Sequence, residues 1–411
     1  MDFLKSHTPL SARAAFIVLS TLMFFFSAQV SLTIYIDSSY LKHTIENTPS
    51  LAQTVLWDEP EHMVGTIYTF ASLITLLALL YAPRVLRKMG NYRWSLSILI
   101  LHILLLLGLA LSDSGFLIIP LFIVEAAIIS VLYFNLDVFL EQYSRDKETG
   151  VIRGLFLMIG SVAWVLPPLL AGNIIDNSGF SLVYLTGAAL MIPAVFLLVR
   201  YFSNFQDLTY DDAPLWLSRT EGAKHPDVGR ILITNFLMHF FYAWMIIYTP
   251  LYLHNHLGFS YSDIGLILTL ALSAFIIFPY PTGWIADKLL GEKELLVAGF
   301  FLMAMTTGLL PYLGATGAGL MVWAGVLFVG RAGAATVETM TETYFFKQID
   351  GHNAGLMGYF RRSRPLAFIA APITASLLLE FEIVPIEGLF SILAALMLVA
   401  IYFPLGLADT K

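Results

Sequence analysis

The chain has 411 residues, 58% of them hydrophobic and 12% charged, with a mean hydropathy of +0.78, whereas an ordinary soluble domain is about 25% charged. It contains no cysteine, which excludes disulfides, thiolate metal sites and cysteine nucleophiles. The net charge of −7 decides little, because in so apolar a chain what matters is which loops carry the Lys and Arg.

Apolar runs of about 20 residues, the length that crosses a bilayer, recur along the whole sequence and predict an all-α polytopic membrane protein. The first run begins near Ala12 and lacks the small-residue cleavage site of a removable signal peptide, so it is expected to stay as a span. Twelve spans are predicted, over about 12–36, 63–82, 94–112, 115–139, 152–175, 180–201, 229–253, 263–287, 294–313, 317–344, 356–380 and 386–407.

A longer segment from Asp37 to Met63 joins spans one and two and carries Asp58, Glu59 and Glu61 with a single cation, Lys42. The next loop holds Arg84, Arg87, Lys88 and Arg93. The one after span four has Arg145 and Lys147, and the one after span six has Arg219 and Lys224. Later even-numbered spans end at Lys288 and Lys293, then at Lys347, ahead of Arg361, Arg362 and Arg364. Of 22 Lys and Arg, only Lys42 falls on the opposite side, and Arg331 falls near the middle of a span. The positive-inside rule then places both termini in the cytoplasm, as an even number of spans requires. The expected setting is a plasma membrane, such as the bacterial inner membrane.

The hydrophilic stretch around 203–228 splits the spans six and six. The expected domains are an N-terminal six-helix bundle over 1–202, a cytoplasmic linker over 203–228 and a C-terminal bundle over 229–411. At an offset of about 205 the halves match weakly but in order. Asp137 falls on Glu342 and Gly150 on Gly355; at one less, Pro168 falls on Pro372. A two-fold repeat of six-span units is the mark of a transporter built from two rocking halves.

After span eight comes Gly283-Trp-Ile-Ala-Asp287-Lys288-Leu-Leu-Gly291-Glu-Lys293. This resembles the Gly-x-x-x-Asp-Arg/Lys-x-Gly-Arg/Lys signature of the major facilitator superfamily, one residue longer before the second glycine. In that reading Gly283 allows close helix packing, Gly291 supplies a turn and Asp287 sits among cations. The equivalent after span two has Pro83 at the first glycine and Arg87 at the aspartate, and keeps Gly90. Span five holds Gly160, Pro167, Pro168, Ala171 and Gly172, which is similar to an element that exporters of this superfamily carry in their fifth helix. Small residues and prolines at a helix interface also serve packing alone. The resemblance implies twelve helices in two pseudo-symmetric bundles, alternating access, and a central cavity lined by spans one, four, seven and ten.

Charge inside a span costs roughly 2.5–3.5 kcal/mol on insertion scales, so it normally faces a partner or water. Span ten carries Arg331, Glu338 and Glu342 at helical steps of seven and eleven, which form one stripe. Arg331 is a fixed cation, fit for a substrate anion or for Glu125, its near counterpart across the repeat in span four; private pairing within each bundle is the other reading. Glu338 is a candidate proton carrier or structural partner. Glu342 reads as a gate, matched by Asp137 and paired with Arg361 or with the cations of the loops. On span seven Asn235, His239 and Tyr242 share a face. In span one Gln29 and Thr33 are cavity candidates, and Asp37 is expected to be a solvated helix end. His254 and His256 are too slight a signal for a metal site, and no phosphate-loop, His-Glu-x-x-His or Gly-x-Ser-x-Gly pattern occurs.

The expected protein is therefore a secondary transporter and not an enzyme, with no cofactor and no metal. Its partners are a small organic solute, protons and the bilayer, without nucleic acid, and it is expected to be a monomer. Span five leans toward export by antiport. Uptake of a polar or anionic metabolite by symport is the alternative, and a receptor that has lost transport is a further one.

Overall fold

The structure, a computed structural model, describes residues 12–48, 60–143, 156, 158–205, 226–348 and 354–408. Among these the only regular structure is helical. Eleven helices are long and apolar enough to cross a membrane: Arg13–Thr33, Met63–Met89, Asn91–Leu111, Gly115–Leu140, Met158–Ser178, Phe180–Phe202, Asp227–His256, Tyr261–Lys288, Glu292–Thr316, Leu320–Gln348 and Ile386–Leu405. The segment expected as span eleven is a helix of 27 residues, Ala354–Glu380. It is long enough but more polar than the others, with Arg361, Arg362 and Arg364 in its first half and Pro365, Pro372, Thr374 and Ser376 after them.

Several ends lie further out than hydropathy places them. Span two continues through Pro83, Arg84, Arg87 and Lys88 to Met89, so these residues belong to a helix and not to a loop. Charged residues outside the hydrocarbon do not break a helix; Gly90 does, with φ of +76°, and Gly291 ends the approach to span nine in the same way with φ of +110°. The two glycines hold equivalent places in the two halves, and the turn assigned to Gly291 is present.

Span five is not one continuous helix. A bend at Trp164–Leu166 precedes a helix that starts at Pro167 and runs to Ser178. Pro168 has no N–H to give the Trp164 carbonyl four residues back. The Ser31 hydroxyl, from span one, donates to that carbonyl at 2.7 Å instead, which is how irregular backbone is tolerated at membrane depth. Gly160, one turn before the bend, faces Met23 and Ser27 of span one; a Cβ there would come within 2.8 Å of the Met23 methyl carbon.

The chain folds into two compact units. The first comprises Met1–Leu56 and Phe70–Asp212, the second Trp57–Thr69 and Ala213–Lys411. In the first, span one packs on spans four, five and six, and span three on spans four and six. In the second, span seven packs on spans ten, eleven and twelve, and span nine on spans ten and twelve. The start of span two belongs to the second unit, and two contacts tie it there. Glu61 Oε1 pairs with His256 Nε2 at 3.2 Å, and Gly65 fits against Ser376 and the Tyr248 hydroxyl.

Spans nine and ten approach most closely through glycine. A Cβ on Gly333 would lie 2.7 Å from the Gly299 carbonyl oxygen, and one on Gly299 would lie 2.8 Å from the Gly333 carbonyl oxygen. Small residues let helix backbones meet in this way, and the contact fixes the helix that carries Arg331 and Glu338.

Candidate functional site

The second unit gathers five of the sequence candidates on spans seven and ten. Arg331 is only 3% exposed, and its guanidinium carbon lies 5.7 Å from the Phe241 ring centre and 6.0 Å from that of Tyr242. A cation over aromatic faces gains about 0.5–2 kcal/mol. No carboxylate among the described residues comes within ion-pair distance of it. The Tyr242 hydroxyl, in turn, donates to Glu338 Oε2 at 3.1 Å. His239 lies beside Tyr242, ring centres 6.0 Å apart, with its Nδ1 buried and unbonded. Arg364, from the following helix, is near enough for its charge to act on both Glu338 and His239. Asn235 is placed differently: its amide donates to the Phe360 carbonyl at 2.9 Å and ties span seven to the helix Ala354–Glu380. Its role on the face is that of a strut.

The first unit holds a second polar cluster. Gln29 Oε1 and His102 Nε2 are 2.8 Å apart, and His102 Nδ1 is 3.8 Å from Glu125 Oε1. Thus Glu125 has a private neighbour in its own bundle. Span three supplied no candidate from the sequence, because one histidine in a leucine-rich run has no period to mark it. Its only signal was being the sole titratable group in the interior of that span.

Asp37 corrects an expectation. It is 6% exposed and not a solvated helix end, because the chain turns at Ile34–Ile36 into a further helix, Asp37–Glu46, that packs back on the bundle. The Tyr184 hydroxyl of span six donates to its Oδ1 at 2.7 Å. Burial pushes this carboxyl up to about 7, and the Tyr184 bond only partly offsets that. An acid raised in the fold stabilises it in its protonated form. That contribution is full below the ordinary value of 3.8 and is lost as pH rises through about 7. Asp37→Asn keeps an acceptor for Tyr184 and removes the titration. It is therefore expected to shrink the drop in Tm between about pH 5 and about pH 8; an unchanged drop would refute this.

The motif residues are placed as follows. Asp287 is exposed and 3.6 Å from Lys347 at the end of span ten, while exposed Lys288 makes no ion pair among the described residues. Lys347 also pairs with Glu292, only 1% exposed, just past Gly291. Neither Lys347 nor Glu292 was singled out from the sequence, although Glu292 is the buried anchor of this end. Gly283 makes no close approach among the described residues: a Cβ there meets none of them within 4 Å. The signature is read by spacing, and spacing does not say which way the glycine faces. Arg87 is exposed, and Pro167 and Pro168 are buried at the start of their helix. Glu342 and Asp137 are half-buried, and the side chain of Arg361 lies outside the described residues. His254 and His256 diverge, the first bonding the Phe259 carbonyl at 2.8 Å and the second Glu61.

Helices of bilayer length in two units, with a buried cation and buried carboxylates among the described residues, define a polytopic membrane protein. The family model of the Major Facilitator Superfamily matches residues 14–372 and, again, 231–410. The chain belongs to that superfamily and is a transporter, not an enzyme. Its fold is similar to that of an auto-inhibited peptide transporter of the POT family, with a TM-score of 0.74 and 11% identity over 97% of this chain and 98% of that one. It is also similar to a bacterial homologue of the iron transporter ferroportin in an inward-facing state, with a TM-score of 0.71 and 13% identity over 96% of this chain and 99% of that one. No curated protein matches the sequence.

Proposed function

We propose that the protein is a proton-coupled secondary transporter that takes up a small organic solute bearing an anionic group, by alternating access. The observation that carries this reading is the Arg331 guanidinium. It is buried at mid-span, faces two aromatic rings and has no carboxylate partner among the described residues. A cation so placed suits an anion supplied from outside the chain, since a planar guanidinium grips a carboxylate through two parallel hydrogen bonds. Tyr242 joins the cation to Glu338, so a proton arriving at that carboxylate is felt at the anion site. The proton carrier is Glu338 or Glu125.

The sign of coupling follows from electrostatics. A membrane potential negative inside opposes entry of an anion by about 2.3 kcal/mol per charge per 100 mV, so uptake needs a co-transported proton whereas exit does not. This moves the balance from antiport, toward which span five leans, to symport. Antiport export remains the second reading because Gly160, Pro167 and Pro168 sit at the interface with span one. We further take 1–202 and 229–411 as two pseudo-symmetric halves joined by 203–228, supported by the same helix pairs packing in each unit. Both termini are placed in the cytoplasm by the distribution of Lys and Arg, and one chain is the working unit.

The test is uptake of a panel of radiolabelled mono- and dicarboxylates into proteoliposomes. Accumulation driven by an inside-alkaline interior supports symport, and accumulation driven by an inside-acid one supports antiport. No flux of any anion under either gradient overturns the anion reading.

A further inference from the structure

The polar cluster of the first unit poses a question of proton count. Gln29 from span one, His102 from span three and Glu125 from span four are 0%, 0% and 2% exposed. With Gln29 Oε1 as acceptor at 2.8 Å, the His102 Nε2 donates, and Nδ1 of a neutral ring presents a lone pair. That lone pair faces Glu125 Oε1 at 3.8 Å. Both atoms are buried and neither has a hydrogen-bond partner, so two acceptors look at each other across one gap.

An ionised carboxylate left alone in such a place is strongly disfavoured, and two facing acceptors add a further unmet bond. One proton removes both penalties. It sits either on Glu125, as a carboxylic acid donating toward Nδ1, or on His102, as an imidazolium beside a carboxylate. The pair is neutral either way. No Lys or Arg among the described residues pairs with Glu125, so no fixed cation does this job. Of the titratable groups on the elements packed here, Asp37 of the helix Asp37–Glu46 is the one whose charge acts on Glu125, and it is bonded to Tyr184 of span six. The cations Arg13, Arg93 and Arg200 stand at the ends of their helices, and Lys42 pairs with Glu46. Gln29 also lies beside Gly187 of span six, where a Cβ would stand in ordinary contact with its Cγ at 3.5 Å.

We propose that Glu125 and His102 together hold one shared, exchangeable proton, positioned by Gln29, and that this is the proton the transporter couples to. Loss of the proton to water leaves the pair with one negative charge, so release belongs to a state in which water reaches it. The coupling role rests on the transport reading above; the shared proton itself does not, and the two are tested apart. Among the described residues no Lys or Arg pairs with Glu125 and no carboxylate pairs with Arg331, which separates the tasks: anion on Arg331, proton on Glu125 and His102.

The probe is the proton alone. Infrared difference spectra of the purified full-length protein in liposomes, taken across a pH step, report the C=O stretch of a carboxylic acid; parent and variants all carry Asp37→Asn, which removes the band of the other titrating carboxyl in this unit. The expected result is a pH-dependent band that disappears in Glu125→Gln, persists in Glu338→Gln, and changes in frequency and in pH midpoint in His102→Gln and Gln29→Leu. A structural role alone for His102 would leave the band of a folded variant where it is. A band absent from the parent, retained in Glu125→Gln or unmoved in His102→Gln overturns the shared proton. If the band behaves as expected but Glu125→Gln still accumulates anions against a gradient, the coupling role fails and the proton site stands.

Discussion

Replacing Arg331 with glutamine is expected to weaken binding of a carboxylate solute by about 30-fold or more, and to leave the empty protein at least as stable as its parent. The first half follows from the energetics of a buried charge pair. Removing one partner of a desolvated, hydrogen-bonded pair costs about 2–5 kcal/mol, and each 1.4 kcal/mol is tenfold. The second half follows from the structure of the unliganded site. Arg331 has aromatic faces but no carboxylate among the described residues, so its removal orphans no charge and relieves the cost of a lone buried cation. Arg331→Lys keeps the charge and loses the two-pronged geometry, and should fall between the two. Thermal unfolding with and without a carboxylate panel measures both quantities. A variant that unfolds several degrees early, with no change in ligand response, would make Arg331 a structural residue.

Gly333→Val is expected to be the most damaging single change in the second unit. The new Cβ alone would sit 2.7 Å from the Gly299 carbonyl oxygen, a contact with backbone that no rotamer relieves. Overpacking of a closed interface costs about 1–3 kcal/mol when side chains can yield, and here spans nine and ten must separate instead. Because span ten carries Arg331 and Glu338, anion binding should fall along with stability. Gly325→Ala on the same helix is the control: its Cβ meets nothing within 4 Å. It should be neutral or gain up to about 1 kcal/mol from reduced chain freedom in the unfolded state. Equal stabilities for the two variants would refute the account.

Hydropathy made the helices legible because crossing a bilayer demands length and apolar composition, and both are properties of a one-dimensional string. It also found Arg331, since a guanidinium in an apolar run is conspicuous wherever it points. What it could not supply was facing. Asn235, His239 and Tyr242 share a helical face, yet one edge of that face meets the Phe360 carbonyl and another meets Glu338. Asp37 follows the last apolar residue of span one, where exposure is the usual outcome. Its burial depends on a turn and on Tyr184, 147 residues away. The break in span five was foreshadowed by Pro167 and Pro168, but the hydroxyl that repairs it comes from Ser31, which no local rule selects. His102 was invisible for the same reason: its meaning lies in Gln29 and Glu125, on two other helices.

The vacancy beside Gly283 has a practical side. Because the chain contains no cysteine, a thiol introduced there would be its only one, and its Cβ would displace none of the described residues. Helix propensity favours the exchange, since glycine is the poorest helix former after proline. A nitroxide or fluorophore attached at that point would ride on the end of span eight beside the Asp287–Lys347 pair. The protein thus arrives already stripped for spectroscopy, with a reporter position built into its own signature sequence.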